Sequence, residues 1–446
     1  MKKFQITGIA RLLIFFIILC LGGGFLLQLP LAYKNNIPVP FVDSLFTSVS
    51  AVCVTGLSTL DMNIYTTEGF TIIAILIELG GLGIITFLSL LLTSKNKKVS
   101  FANRRAVKQF ALEDVENNPK KIIRIILYYT LLIQSFGFLC LIPILKNAGI
   151  ENFTFDAMFL AISAFCNAGF SPYSDSLIGF NNQVALNVVI MLLIISGGIG
   201  FIVIANLRQV RKGIKKGYSA HTKIVFITTT ILIFAGAACF FILEYNHAFK
   251  DFTLSQKISA AFFQSVTPRT CGFETVAQPK FTYTSSLITL LFMFIGGSPA
   301  SIAGGIKTTT FFVAFLYVIK GDETTGTVRF FNRTINNETI NKAIMIIVKS
   351  VLCIFIAIIL LTLTEQAKLT NNDISIYDLV FETVSAFGTV GLSNGITSTL
   401  TTGGKIILIV TMFIGRTALA TMILILPSVA KSRRLIQLPK AEIIVG

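Results

Sequence analysis

The sequence predicts an all-α polytopic membrane protein with four span–pore-helix–span repeats around a pseudo-fourfold pore. Three observations predict it. Of the 446 residues, 54% are hydrophobic and 13% charged, about half the charge fraction of a soluble chain. Eight apolar runs, at roughly 8–30, 70–93, 122–145, 184–207, 223–244, 283–319, 342–364 and 404–430, reach the ~20 residues that cross a bilayer. Between the two runs of each pair lies a short segment that ends in glycine.

That segment recurs four times. The copies run from Asp43 to Gly56, Asp156 to Gly169, Ser259 to Gly272 and Asp378 to Gly391. In three of them a phenylalanine, a serine and an alanine recur in register: Phe46, Ser50 and Ala51, then Phe159, Ser163 and Ala164, then Phe381, Ser385 and Ala386. The third copy carries Phe262, Val266 and Thr267 instead. A leucine or phenylalanine follows every glycine. An internal repeat of this kind decides the fold. The chain divides into repeat one (1–94), a linker (95–121), repeat two (122–207), a linker (208–222), repeat three (223–319), a linker (320–341), repeat four (342–430) and a tail (431–446).

Repeat one shows the plan. The first span ends near Pro30, and Asp43 is expected to cap a helix of about ten residues, since aspartate suits an N-cap and the positive end of the dipole. Such a helix is too short to cross, so it enters, stops and hands over to an extended segment, Val54-Thr55-Gly56. Irregular backbone at membrane depth needs protein or water around it. Repeats two and four follow with Asn167-Ala168-Gly169 and Thr389-Val390-Gly391, repeat three with Thr270-Cys271-Gly272. Repeat three also carries Arg269, which would repel a cation from the lumen. It is expected to point away and brace backbone carbonyls or Glu274.

The second span of repeat three is too long for one crossing and contains Gly296, Gly297, Ser298, Pro299, Ala300, Ser301, Ile302, Ala303, Gly304 and Gly305 in succession. Glycine and proline are expected to break it into two halves around an irregular linker; a kinked continuous helix is the alternative. The clusters Gly80-Gly81-Leu82-Gly83 and Ser196-Gly197-Gly198-Ile199-Gly200 read as close helix packing. Charged residues inside spans are functional candidates. Arg416 is expected to find carbonyl or carboxylate partners, with the glycine-rich linker one source. Lys307 is expected to snorkel to the surface. Glu78 is a counter-ion, a proton relay or a packed acid, and the sequence does not choose.

The net charge of +16 invites a nucleic-acid reading, but its placement rejects it. Basic residues crowd the connections between repeats, Lys95 to Lys108 and Arg208 to Lys216, and the tail at Lys431, Arg433 and Arg434. That asymmetry is the positive-inside signal and puts the connections and both termini in the cytoplasm of a plasma-membrane protein. Seven scattered cysteines form no disulfide or metal pattern. With two histidines, His221 and His247, no acid–base or metal cluster appears, so an enzyme is not expected.

Four equivalent segments can bring their main-chain carbonyls to one axis. A carbonyl ring replaces the hydration shell of a dehydrated cation, and the short helices aim the negative ends of their dipoles at it. Glycine lets successive carbonyls face one way, because some residues must take positive φ.

On these motifs the whole chain resembles the Trk/Ktr/HKT superfamily of potassium transporters, in detail the membrane subunit of bacterial Ktr systems. The resemblance implies gated potassium uptake. It makes Gly56, Gly169, Gly272 and Gly391 the filter glycines, with Val54, Thr55, Asn167, Ala168, Thr270, Cys271, Thr389 and Val390 beside them. Glycine rather than serine at Gly56 implies potassium over sodium. It makes Gly296 to Gly305 an intramembrane gate loop contacted by Arg416. It also implies a homodimer and a cytoplasmic ring of nucleotide-binding regulatory subunits, since nothing in this chain reads as a nucleotide site. Sodium dependence stays open. The alternative is a secondary transporter of another cation or a small solute, which predicts two inverted halves rather than four parallel copies.

Overall fold

The computed structural model describes residues 8–93, 119–321, 327–330 and 333–425. The basic stretch Lys95 to Lys108 and the tail 431–446 lie outside the described residues. Repeat one comprises α1 (Gly8–Leu27), α2 (Phe41–Val52) and α3 (Thr67–Thr93). Repeat two comprises α4 (Pro119–Asn147), α5 (Phe153–Phe165), α6 (Val184–Gly198) and α7 (Phe201–Arg211). Repeat three comprises α8 (Ala220–Glu244), α9 (Leu254–Val266), α10 (Tyr283–Phe294) and α11 (Thr308–Lys320). A small antiparallel hairpin follows, β1 (Val328–Phe330) with β2 (Arg333–Ile335). Repeat four comprises α12 (Asn337–Thr364), α13 (Gln366–Thr370), α14 (Ile376–Gly388) and α15 (Thr402–Ile425).

The four pore helices α2, α5, α9 and α14 have 12 or 13 residues. At 1.5 Å per residue each covers less than 20 Å, short of the ~30 Å hydrocarbon layer. Aspartate does not cap them. Pro40 and Asn152 precede α2 and α5 without a side-chain cap, while Thr253 and Ser375 form capping boxes at α9 and α14. The aspartates sit in the first turn, where the dipole still favours them, and are held by partners. Asp43 meets Lys405 at 2.6 Å, Asp156 accepts from the Tyr173 hydroxyl at 3.0 Å, and Asp378 accepts from Asn394 at 2.9 Å.

The repeats close into a ring. The second span of each packs against the pore helix of the next: α3 on α5, α6 on α9, α10 on α14, and α15 back on α2. Within repeats one, two and four a glycine lets span and pore helix touch. A Cβ at Gly80, Gly197 or Gly415 would collide with the carbonyl of Val52, Phe165 or Phe387, each at the C-terminal end of its own repeat's pore helix. The close-packing reading of the first two clusters holds on that geometry.

Two second spans are broken. Repeat three breaks where expected, between Phe294 and Thr308. Repeat two also breaks, against the expectation of one span over 184–207: α6 and α7 meet at 88°. Gly200 sits at the corner with φ +94°, and a side chain there would strike the Pro299 carbonyl. The bend makes room for the linker of repeat three.

Candidate functional site

Within four residues of the end of each pore helix the backbone turns left-handed, and a second left-handed residue follows two positions later. Val54, Asn167, Thr270 and Thr389 have φ between +51° and +76°, and Gly56, Gly169, Gly272 and Gly391 between +70° and +100°. The non-glycine positions are costly, of order 1–3 kcal/mol each, and nothing in the sequence pattern singled them out for that conformation. The four glycines meet. Gly56 lies against the Ala168 carbonyl, Gly169 against that of Cys271, Gly272 against that of Val390, and Gly391 against that of Thr55. These four contacts run around the repeats and close on themselves. A Cβ at any of the four would overlap a neighbour's carbonyl, quite apart from the φ it would be forced to hold.

Hydrogen bonds from each pore helix fix the segments. In repeat one Thr55 N donates to the Ser50 carbonyl at 2.7 Å and Gly56 N to Ser50 Oγ at 3.0 Å. Repeat four matches it, with Val390 N on the Ser385 carbonyl at 2.9 Å and Gly391 N on Ser385 Oγ at 3.1 Å. In repeat two Ser163 Oγ donates instead to the Phe170 carbonyl at 2.7 Å. In repeat three Thr267, not the in-register Val266, does this work, donating to the Phe273 carbonyl at 2.7 Å. The hydroxyl has moved one residue closer to the glycine, which a fixed-spacing comparison misses. The side chains of Thr55, Ala168, Cys271 and Val390 are buried.

The broken linker Gly296 to Gly305 lies against this ring. A side chain at Gly304 would overlap Thr389, and one at Gly296 would press on Thr270. The linker is closed at its base by Gly296 N on the Ile306 carbonyl at 2.9 Å and Thr308 N on that of Gly297 at 3.0 Å. It docks on the bend of repeat two: Ser298 N donates to the Gly198 carbonyl at 3.0 Å, and Phe201 N to that of Ala300 at 2.9 Å. Ala300 has φ +55° and Ser301 Oγ donates to the Ser298 carbonyl at 2.6 Å. Ser298, Ile302 and Ala303 are buried, as are Pro299's neighbour Gly200 and Gly305. Arg416 reaches across from α15 and donates to the Ile302 carbonyl and, at 3.0 Å, to that of Gly80. The expected carbonyl partners of Arg416 are therefore present.

Two expectations need correcting, and one residue left open by the sequence gains its partners. Lys307 does not snorkel; its Nζ donates to the Ala303 and Gly304 carbonyls of the linker itself. Arg269 does not brace Glu274. It is buried beside Asn167, Thr229, Gly198 and Gly297, and its Nε has no hydrogen-bond partner among the described residues. Glu274 instead accepts from Ser393 N at 3.4 Å. Glu78 is hydrogen-bonded: its Oε2 accepts from Gln134 at 3.0 Å and from the Cys166 thiol at 3.2 Å. Among the described residues there is no cluster of His, Cys, Asp and Glu that holds a metal.

The profile of the TrkH family, described as cation transport protein, matches residues 24–435. The chain belongs to the TrkH family. Within it, the Ktr system potassium uptake protein B of Bacillus subtilis is 36% identical over 100% of this chain and 98% of its own length. The potassium/sodium uptake protein NtpJ of Enterococcus hirae is 34% identical over 92% of this chain and 90% of its own. The fold matches the crystal structure of the potassium transporter TrkH from Vibrio parahaemolyticus, with a TM-score of 0.76, 17% identity, and coverage of 96% of this chain and 87% of that one. The four-repeat membrane architecture is thus that of the TrkH family, whose members are cation transporters rather than enzymes.

Proposed function

We propose that this chain carries potassium into the cell through the ring at Gly56, Gly169, Gly272 and Gly391, and that the linker Gly296 to Gly305 gates it. The observation that carries this reading is the closed circuit of four glycines, each against a carbonyl of the next repeat. Main-chain oxygens arranged so offer a dehydrated alkali ion several dipoles and no full charge, which holds it and still releases it. An inside-negative potential supplies about 2.3 kcal/mol per charge per 100 mV. The two relatives are named for potassium uptake and for potassium and sodium uptake, and the resemblance to Ktr membrane subunits extends the reading to a homodimer governed by a cytoplasmic nucleotide-binding partner.

Gating follows from the linker's position against Thr270 and Thr389. While Arg416 and Lys307 hold its carbonyls, the linker fills the space below the ring. A partner that pulls on α11 would withdraw it. The test is rubidium flux into liposomes under a potassium diffusion potential, with and without sodium. Potassium-selective flux that Gly56→Ser or Gly391→Ser shifts toward sodium is expected. Flux indifferent to both substitutions would remove the ring from the mechanism.

A further inference from the structure

A second polar site lies away from the axis. Between α3 and α4 a cavity of about 490 Å³ is lined by Glu78, Thr130, Gln134, Arg124 and the apolar Leu82 and Leu131, among others. That volume falls in the range of small-molecule sites. Its outer wall faces lipid: Leu131 is 68% exposed and Tyr128 67%. Its inner end is polar and short of donors. Gln134 spends its amide N–H on Glu78 Oε2, and Cys166 spends its thiol on the same oxygen. Glu78 Oε1 and Gln134 Oε1 receive no hydrogen bond among the described residues. Thr130 is buried and its Oγ1 has no partner. Thr71, Thr383 and Thr411 donate to the carbonyl four residues back, a bond that Thr130, like Thr228 and Thr229 of α8, does not make. A carboxylate and an amide oxygen therefore line this crevice together with the Arg124 guanidinium and several apolar side chains, and an unpartnered hydroxyl is buried among the lining residues.

We infer that this crevice binds a hydrophobic primary amine from the membrane, its ammonium held by Glu78, Gln134 and Thr130 and its apolar body by Leu82 and Leu131. An ammonium brings three donors and no acceptor, which complements those oxygens. A lipid tail brings neither charge nor donors, and a carboxylate or phosphate would meet Glu78 with like charge. Arg124 leaves the rim unsuited to a second cationic group, so the ligand is a monocation. The site also has a route to the ring. Glu78 holds the thiol of Cys166, the residue before Asn167, and Arg416 binds the Gly80 carbonyl on the same helix. An ammonium that draws the carboxylate toward itself loosens its hold on Cys166, so occupancy changes flux.

The test uses the full chain in lipid nanodiscs with radiolabelled dodecylammonium as probe, and dodecanol and dodecyl sulfate as competitors. Saturable binding is expected, with dodecanol competing about tenfold more weakly or worse, the worth of one charge-assisted contact. Glu78→Gln lowers affinity by about tenfold or more. Leu131→Trp, which fills the mouth and spares the polar groups, does the same and keeps the test decisive should Glu78→Gln fail to fold. Arg124→Gln, which takes a cation from the rim, does not weaken binding. Equal competition by dodecanol, or affinity indifferent to both Glu78→Gln and Leu131→Trp, would overturn the site as mere partitioning. Displacement by dodecyl sulfate with loss in Arg124→Gln would overturn it in favour of a lipid headgroup. Binding is read without flux, so its failure leaves the transport proposal standing.

Discussion

The ring and the linker against it are both irregular backbone at membrane depth, yet they are held differently. Each ring segment is tied to its own pore helix, by bonds such as Gly56 N to Ser50 Oγ and Gly391 N to Ser385 Oγ, six residues apart. The linker adds to its local bonds ties to distant parts of the chain: Gly198 of repeat two, and Arg416, which is 114 residues from the Ile302 carbonyl it binds. Local ties make a structure that forms with its helix and stays. Remote ties make one that a movement between repeats can undo. Under the proposed function, the contrast separates a rigid filter from a movable gate.

The sharpest way to break that contrast is to crowd the ring. Gly169→Ala places a methyl on the Cys271 carbonyl at a φ of +70°. Rubidium flux is expected to fall by more than about tenfold, since a barrier of 1.4 kcal/mol is enough for that and positive φ alone costs a β-carbon residue of this order. A protein that keeps full flux would show that the ring tolerates what its geometry forbids. Next comes the linker. Deleting Ala300 to Ala303, or changing Arg416→Gln, removes remote ties, and flux without any partner protein is expected to rise by several-fold to about tenfold. Unchanged flux would mean the linker is no gate.

A smaller effect is expected at the seam between repeats four and one. Asp43 and Lys405 are both largely buried and 2.6 Å apart. Lys405→Met strands the carboxylate, so thermal unfolding in detergent should register a loss of about 1–3 kcal/mol, recovered in part by adding Asp43→Asn. The smallest effect sharpens the comparison within the ring. Ser50→Ala removes one bond to Gly56 N, worth about 1 kcal/mol, and selectivity for potassium over sodium should weaken by a few fold without loss of expression.

The same distinction explains what the sequence reveals. The pore helices and their glycines are legible because everything that shapes them lies within one short segment, repeated four times. The third copy is legible only in part, since Thr267 took over a role that spacing assigns to Val266. The clusters at Gly80 and Gly197 look alike in composition. One stays inside the continuous helix α3 and the other ends α6 at an 88° corner, and what separates them is contact with Pro299 and Ala300, a hundred residues away. Lys307 and Arg269 depart from expectation for that reason too. A span-end lysine looks free to snorkel until a linker carbonyl lies within its reach, and an arginine looks destined for the nearest acid until that acid, Glu274, turns to Ser393.

The seam between α15 and α2 carries a consequence for biosynthesis. Three seams of the ring join repeats adjacent in sequence, whereas the fourth joins residues 362 apart. A chain leaving the ribosome can therefore stack three quarters of the wall as an open horseshoe, with the Thr55 carbonyl and the first turn of α2 waiting for partners not yet made. Polar backbone left so in lipid is costly, and half-assembled membrane domains are what quality control removes. Truncations within α15 should thus behave as degraded orphans rather than as leaky pores, because the last of the described helices is also the keystone of the first repeat.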